Sequence, residues 1–380
     1  MPVSISGTNG VTFPDSSLQT AAASPDVLKN RIINGDMRID QRGAVNVAAS
    51  AGNTYVACDR FTLTNYWGTG QVNTAKSTIA PSGFTNSVSL TVASAAPMNG
   101  STGYSAPFWQ AIEGFNIADA YTSSVTLSFW VRSSVTGTYS ITFSNDSSVA
   151  INAATRLYVA NYTISLANTW EQKTITVNLA TGFASGTWNV SNGTGLCIAW
   201  NLGSESNRKG NAFLNTWGTL GSTVDIQSAS QVNWISNAGA TFYLTGVQLE
   251  QNTTATPFER RLYGQELANC QRYYWKIASD GTATGFPAIG SGVVNGSTTS
   301  YIYVKYPITM RTSPTASYNG TITIHDGSAG ATVSSTSANY PGLDSMFWVF
   351  NHSAGLVASR GAIAYFQNST SNFIQATAEL

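Results

Sequence analysis

The stretch TFYLTGVQLEQNTTATPFERRLYGQELANCQRYY, residues 241–274, decides how this chain is read. Thr241–Leu249 alternates and is rich in β-branched and aromatic residues, the pattern of a strand. The segment after it carries Pro257, which sits poorly in a helix or a central strand, so it reads as an extended connector. Tyr263, Leu267, Cys270 and Tyr274 then recur at spacings of four, three and four, which places them on one face of a short helix over residues 263–275.

On both sides of this junction the chain reads as strands and turns. Residues 31–262 carry many short strand-like runs, the pattern of a sandwich. Val125, Leu127, Phe129 and Val131 alternate on one face, and Arg156–Leu166, Trp170–Val177 and Gly195–Leu202 follow. Residues 276–380 read as a second, smaller β-sandwich. Over Thr299–Thr309, Ile302, Val304, Tyr306 and Ile308 share one face, while Tyr301, Tyr303 and Lys305 share the other, an aromatic face able to cover a neighbouring subunit. Met346–Phe350 and Ala362–Phe366 are apolar enough for central strands. Asp280-Gly281, Asn319-Gly320 and Asp326-Gly327 are turn signals. No repeat of 20–50 residues marks a β-helix or solenoid. The expected fold is all-β: two jelly-roll-like sandwich domains joined by a short helix, preceded by an extended leader.

That leader, residues 1–30, is too poor in apolar residues to form a core. Val3, Ile5, Val11 and Phe13 alternate around a Thr8-Asn9-Gly10 turn. Two strands alone are marginal in water, so the segment needs a partner: equivalent segments of sister chains, or another protein. Ala21–Pro25 reads as a linker.

Charged residues make up 9% of the chain, against roughly 25% in ordinary globular proteins. The formal net charge is zero, which argues against a nucleic-acid footprint. Hydrophobic content of 42% and aromatic content of 11% argue against disorder. No segment has the roughly 20 consecutive apolar residues of a membrane helix, and the N-terminus lacks the pattern of a secretory signal. Ser, Thr and Asn crowd the surface segments. They suit hydrogen bonding to neutral sugars, and they are equally the ordinary residues of turns.

Catalytic signals are sparse. His325 and His352 are the only two histidines, and both read as surface loop residues. No GxSxG elbow and no HExxH occurs. Glycoside hydrolysis needs paired carboxylates, whereas Glu113, Asp119, Asp146, Glu205, Asp225 and Asp344 are scattered singly. No catalytic residue, cofactor or metal is expected. Cys58, Cys197 and Cys270 are far apart and odd in number, which suggests buried free thiols. Aromatic rings remain the best sugar contacts, because they offer flat apolar faces. Trp130, Trp170 and Trp348 lie in strand-like runs and read as core. Trp67, Trp109 and Trp217 lie near Gly, Ser, Asn or Pro and read as loop residues lining a ligand, as does Tyr340 beside Asn339 and Pro341.

Several segments carry a resemblance. Gly246–Glu250, Thr256–Arg261 and Glu266–Tyr274 resemble the junction of bacteriophage tail-fibre and virion structural proteins, especially cyanophage-like ones. Upstream, INGDMRIDQRG (33–43), CDRF (58–61), SFWVRSS (128–134), TYSITF (138–143) and TWEQKTITV (169–177) match the jelly-roll module of that family, and residues 6–22 resemble its leader. The resemblance covers most of residues 1–275 and implies a fibrous homotrimer of the virion, assembled in the bacterial host cytoplasm. It implies that residues 1–30 attach to other virion proteins of the baseplate or tail, and that a host surface polysaccharide is the receptor. Residues 276–380 match only in style and are the expected receptor-binding domain. A purely structural collar, whisker or capsid-decorating fibre fits the same motifs, and a tail-spike depolymerase is a more distant reading. Asn34-Gly35-Asp36 also resembles the first strand of carbohydrate-binding jelly rolls, some of which hold a structural calcium. Thr245 stands at the last-strand position where those have an acid.

Overall fold

The computed structural model describes residues 29–380, apart from residues 51, 147–154, 222–224, 280–285 and 368–370. Of residues 1–28 it describes three short strands, Ser4–Ser6, Gly10–Thr12 and Leu18–Gln19, which form an antiparallel sheet with Ile5 opposite Val11. Thr8, Asn9 and the predicted linker Ala21–Pro25 lie outside the described residues, as does the Asp280-Gly281 turn.

Residues 32–249 share one core between two antiparallel sheets. The six-stranded sheet runs Glu171–Asn178, Ser124–Ser133, Thr241–Glu250, Ser87–Ser94, Gln71–Ser77, Val45–Ala48. The seven-stranded sheet runs Gly218–Thr219, Arg156–Ile164, Gly137–Ser144, Thr194–Ser204, Ser105–Glu113, Thr62–Thr64, Asn53–Tyr55. The chain passes repeatedly from one sheet to the other, while Asn53–Tyr55 and Thr62–Thr64, and Gln71–Ser77 and Ser87–Ser94, stay together as antiparallel neighbours. The alternation of Val125, Leu127, Phe129 and Val131 survives as one fully buried face. Phe129 meets Tyr162 and Trp200 edge-on, at centroid distances of 5.2 and 5.7 Å. Each such ring contributes roughly 1.5–3 kcal/mol by burial.

Gly246 shapes the strand Thr241–Glu250. Ser128 pairs with Gln248 but Trp130 pairs with Thr245, so the strand holds one extra residue there. Gly246 sits at φ +61°, and a Cβ would lie 2.6 Å from the Phe84 ring and 3.0 Å from Trp130. It is the glycine of a β-bulge. The following residue, Val247, donates its N–H to Gly35 O at 2.9 Å and accepts from Asn30 Nδ2 at 3.1 Å.

The second module is not the sandwich expected from the sequence. Ala288–Gly296, Thr299–Lys305, Ser345–His352, Gly330–Pro341, Ile322–His325 and Gly361–Phe366 close into a six-stranded barrel, because the last of these also pairs with the first. Tyr274–Ala278, Phe373–Thr377 and Thr315–Asn319 form a separate three-stranded sheet that shares its core. Trp348 and Phe350 stack at 5.4 Å, with Tyr318 edge-on to both at 5.8 Å. Closure depends on Gly290 and Gly292. A Cβ there would sit 2.2 Å from Tyr303 O and 1.7 Å from Tyr301 O, so the strand coils tightly only without side chains.

One helix, Tyr263–Gln271, lies between the two cores in the chain. Its buried face keeps only Cys270 of the predicted apolar stripe, and Tyr274, also buried, belongs to the following strand. Glu266 and Cys270 are buried, whereas Tyr263 is 56% exposed and Leu267 half-buried. The rotation follows from the polar partners of Glu266.

Candidate functional site

Five of the segments that stood out in the sequence, residues 33–43, 58–61, 246–250, 256–261 and 266–274, meet in one place. Gln248 and Glu250 hold the connector: Glu250 accepts from Thr256 N at 2.8 Å and Thr256 Oγ1 at 2.7 Å, and Gln248 Oε1 accepts from Glu259 N at 2.7 Å. Glu259 accepts from Asn30 N at 2.6 Å. Arg261 donates to Ile32 O and to Glu266, both at 3.1 Å. Glu266 in turn accepts from Asn34 N, which draws the helix against the INGD segment. Glu113 accepts Arg272 in a two-pronged pair at 2.6 and 3.0 Å and the Tyr273 hydroxyl at 2.6 Å.

Glu379 closes this knot from the far end of the second module. It pairs with Arg42 at 2.9 Å and with the buried Arg60. Both guanidinium groups also lie 3.6 Å from ring centroids, Arg42 over Tyr274 and Arg60 over Tyr273. Burial pushes the Tyr273 hydroxyl up to about 12 against the pull of Arg60, and burial likewise pushes Tyr274 up to about 12. Burial raises the Asp59 carboxyl, opposed by Arg42. Every charge here has a partner, as buried charges require. Chemically this is a clamp between modules, with its groups committed to each other.

The predicted ligand-lining aromatics divide. Trp67 and Trp109 are each only 2% exposed and belong to the interior, contrary to their reading as residues lining a ligand, although Trp67 does lie in the connection between Thr62–Thr64 and Gln71–Ser77. Trp109 lies in the strand Ser105–Glu113, donates to Thr64 Oγ1 at 2.9 Å, and packs with Ala111, Cys197 and Ala199 beneath Leu380. Neighbouring Pro107 misled the sequence reading, since the strand runs straight through it. Trp217 is half-buried. Its ring lies on Gly182 and joins Trp188 and Tyr158 at 5.6 Å each, closing one end of the sandwich. Of the three tryptophans expected in the core, Trp348 is buried, while Trp130 and Trp170 are half-buried.

Tyr340 is 62% exposed, and it stands in the strand Gly330–Pro341 rather than in a loop. Register brings it opposite Phe347, which is opposite Tyr303, and Tyr301 lies opposite Val349 on the same face. The Tyr340 and Phe347 rings are 5.9 Å apart at 30°, and Tyr301 meets Phe347 at 5.1 Å and 65°. Tyr303 is 49% exposed. The Tyr301, Tyr303 and Tyr340 hydroxyls make no hydrogen bond among the described residues. Beside the rings runs a polar ladder: Asn351 donates to Ser335 Oγ at 2.9 Å and accepts from Ser337 Oγ at 2.7 Å. Sequence reading found Tyr301, Tyr303 and Tyr340 but missed Phe347. It lies in MFWVF, where every residue is apolar and only register tells outside from inside.

The scattered acids have structural partners. Asp119 pairs with Arg31 at 2.6 Å, Glu205 accepts from Gly103 N and Tyr104 N, and Asp344 accepts from Thr309 at 2.5 Å. His352 is buried rather than a surface residue: Nε2 lies 2.9 Å from Ser300 Oγ and Nδ1 2.9 Å from Ser353 O. The three cysteines are free and buried. Asn34 spends its side chain on Ile39 and Asp59 O, and Asp36 pairs with Arg38 at 2.5 Å. Among the described residues no cluster of His, Cys, Asp and Glu has the form of a metal site.

No protein-family profile matches the chain, and no curated protein matches it. Solved structures with a related outline include a provisionally assigned sugar binding protein from Bacteroides thetaiotaomicron, at 14% identity over 59% of this chain and 100% of that one, with a TM-score of 0.35. The enzymatically active domain of Bacteriophage CBA120 tailspike protein 4 matches at 14% identity over 59% of this chain and 21% of that one, with a TM-score of 0.28. The CBM22-1 xylan-binding domain of Paenibacillus barcinonensis Xyn10C matches at 10% identity over 62% of this chain and 100% of that one, with a TM-score of 0.28. The likeness is one of β architecture.

Proposed function

We propose that this chain is a bacteriophage tail-fibre or receptor-binding protein that attaches the virion to a host surface glycan without cleaving it. The observation that carries the glycan reading is the exposed aromatic face of the barrel, where Tyr340, Phe347, Tyr303 and Tyr301 stand beside a ladder of amides and hydroxyls. Rings with adjacent hydrogen-bonding groups suit sugars, whose faces are apolar and whose rims are polar. The virion setting comes from the resemblance of the junction and upstream segments. In this reading residues 1–30 dock onto other virion proteins, three copies form the fibre, and the barrel is outermost. Three weak sites on one fibre raise avidity when the geometry lets them engage together.

Labelled full-length protein applied to host cells tests the reading. Surface binding that competes with phage adsorption supports it, and no competition refutes it. Release of reducing sugar from host polysaccharide favours the depolymerase reading. Light scattering tests assembly, and a mass near the 40.2 kDa of one chain removes the trimer. A purely structural virion role is the second reading. It is favoured by the helix base, where Leu262 is 80% exposed next to exposed Tyr263, an apolar patch suited to contact between copies.

A further inference from the structure

We infer that the barrel's aromatic face takes the interior of one extended, uncharged polysaccharide chain, laid across the strands rather than along one of them. The inference rests on the glycan-attachment reading above and adds the class of sugar and its direction.

Direction follows from register. Tyr340, Phe347 and Tyr303 come from three adjacent strands, Gly330–Pro341, Ser345–His352 and Thr299–Lys305, and occupy one row of the sheet. Tyr301 sits two residues along from Tyr303, on the same face. The row crosses two inter-strand gaps, roughly 10 Å in all, about the length of two linked pyranose rings. A chain lying along one strand would meet only Tyr301 and Tyr303. A chain lying across the strands meets a ring at every step.

Charge class follows from the surroundings. The next rows along the same face carry Val349, then Asn351 hydrogen-bonded to Ser335 and Ser337. Lys305 and Asp344, of opposite sign, lie at the other end, and Asp344 is engaged by Thr309. An acidic sugar would find no clustered cation here to replace its water, and desolvating its carboxylate without a partner is costly. Neutral hydroxyls lose little, because the amides, the serine hydroxyls and the free tyrosine hydroxyls replace water.

Chain interior rather than chain end follows from shape. The rings stand on the convex outside of a closed barrel, a surface with no wall to enclose a terminal sugar. Binding energy then comes from adjacent stacked sugars, and a single sugar gains only one contact.

The test uses full-length protein on an array of neutral and acidic oligosaccharides of one to six units, with Tyr303→Ala/Tyr340→Ala as the variant. Both residues are exposed, so the barrel is expected to keep its melting temperature. The inference predicts neutral ligands only. It also predicts affinity that rises from one unit to three and then levels, little dependence on salt, and a loss of roughly tenfold or more in the double variant, the weight of one good contact. Preference for acidic glycans, equal binding of monosaccharide and hexasaccharide, or full binding by the variant overturns it. In the last case glycan attachment stands and its site lies elsewhere on the chain. An array with no bound glycan overturns the attachment reading along with it. Sedimentation velocity supplies the remaining arm: if the variant dissociates an oligomer formed by the wild type, the face joins copies of this chain and the inference fails.

Discussion

The junction and the outer face of the barrel differ in charge and in access to water. At the junction, buried carboxylates pair with arginines from distant segments, and guanidinium groups lie on tyrosine rings. On the barrel face, rings stand in water beside uncharged groups. The motifs at 33–43, 58–61 and 246–274 run into the junction, where they hold modules together. The surface with chemistry to offer a ligand is made of ordinary strand residues. Distinctive sequence here marks what must fit inside the molecule, because a buried charge tolerates few alternatives, whereas an exposed ring tolerates many.

The comparison breaks most visibly at Arg60. Arg60→Ala leaves Glu379 buried with only Arg42, and removing one partner of a buried pair costs about 3–5 kcal/mol. Urea denaturation is expected to show that loss. Arg60→Ala/Glu379→Ala should recover part of it, since the half-compensated buried carboxylate goes with its lost partner. A loss under about 1 kcal/mol for the single variant would mean the clamp contributes specificity rather than stability.

A second test separates the modules. Gly292→Ala forces a Cβ against Tyr301 O and should loosen the barrel while leaving the sandwich folded. The expected cost is about 1–3 kcal/mol, the range for local backbone strain. Hydrogen exchange resolves it: faster exchange in Thr299–Lys305 with unchanged exchange in Ser124–Ser133 supports it, and uniform acceleration argues that the two cores unfold as one.

Acid sharpens the same contrast. Asp326, in the predicted Asp326-Gly327 turn, accepts from Ser328 N, Ala329 N and Val357 N at 2.8–3.0 Å. These backbone donors hold its carboxyl well below the usual range. A folded-state pKa below the unfolded one contributes stability that is complete above about pH 4 and is lost as pH falls further. The barrel should therefore lose melting temperature below pH 4, and Asp326→Asn should flatten that part of its profile. An unchanged acid slope in the variant would assign the sensitivity to another carboxylate.

The smallest stability effect is expected at Tyr340. Tyr340→Ala removes a ring that is mostly in water, so stability should move by less than about 0.5 kcal/mol. Adsorption or glycan binding should fall even so. A melting shift as large as that of Gly292→Ala would show that the ring is part of the fold.

The sequence by itself determined the all-β class, the bounds of the helix Tyr263–Gln271 to within a few residues, and the strand at Thr241–Glu250. These are local matters: alternation with period two, a helical spacing and a proline act within ten residues of chain. Tyr301 and Tyr303 were legible as an outward face for the same reason. Closure of the second module into a barrel was not legible, because it rests on two glycines meeting carbonyls of a neighbouring strand. Nor was the burial of Trp109, which packs with Cys197, Ala199 and Leu380 from far along the chain. The helix turned Glu266 inward against the apolar pattern because Arg261 and Asn34 wait there, brought together only by folding. Tertiary structure also placed Tyr340 beside Phe347, since cross-strand register is a relation between segments that no single segment encodes.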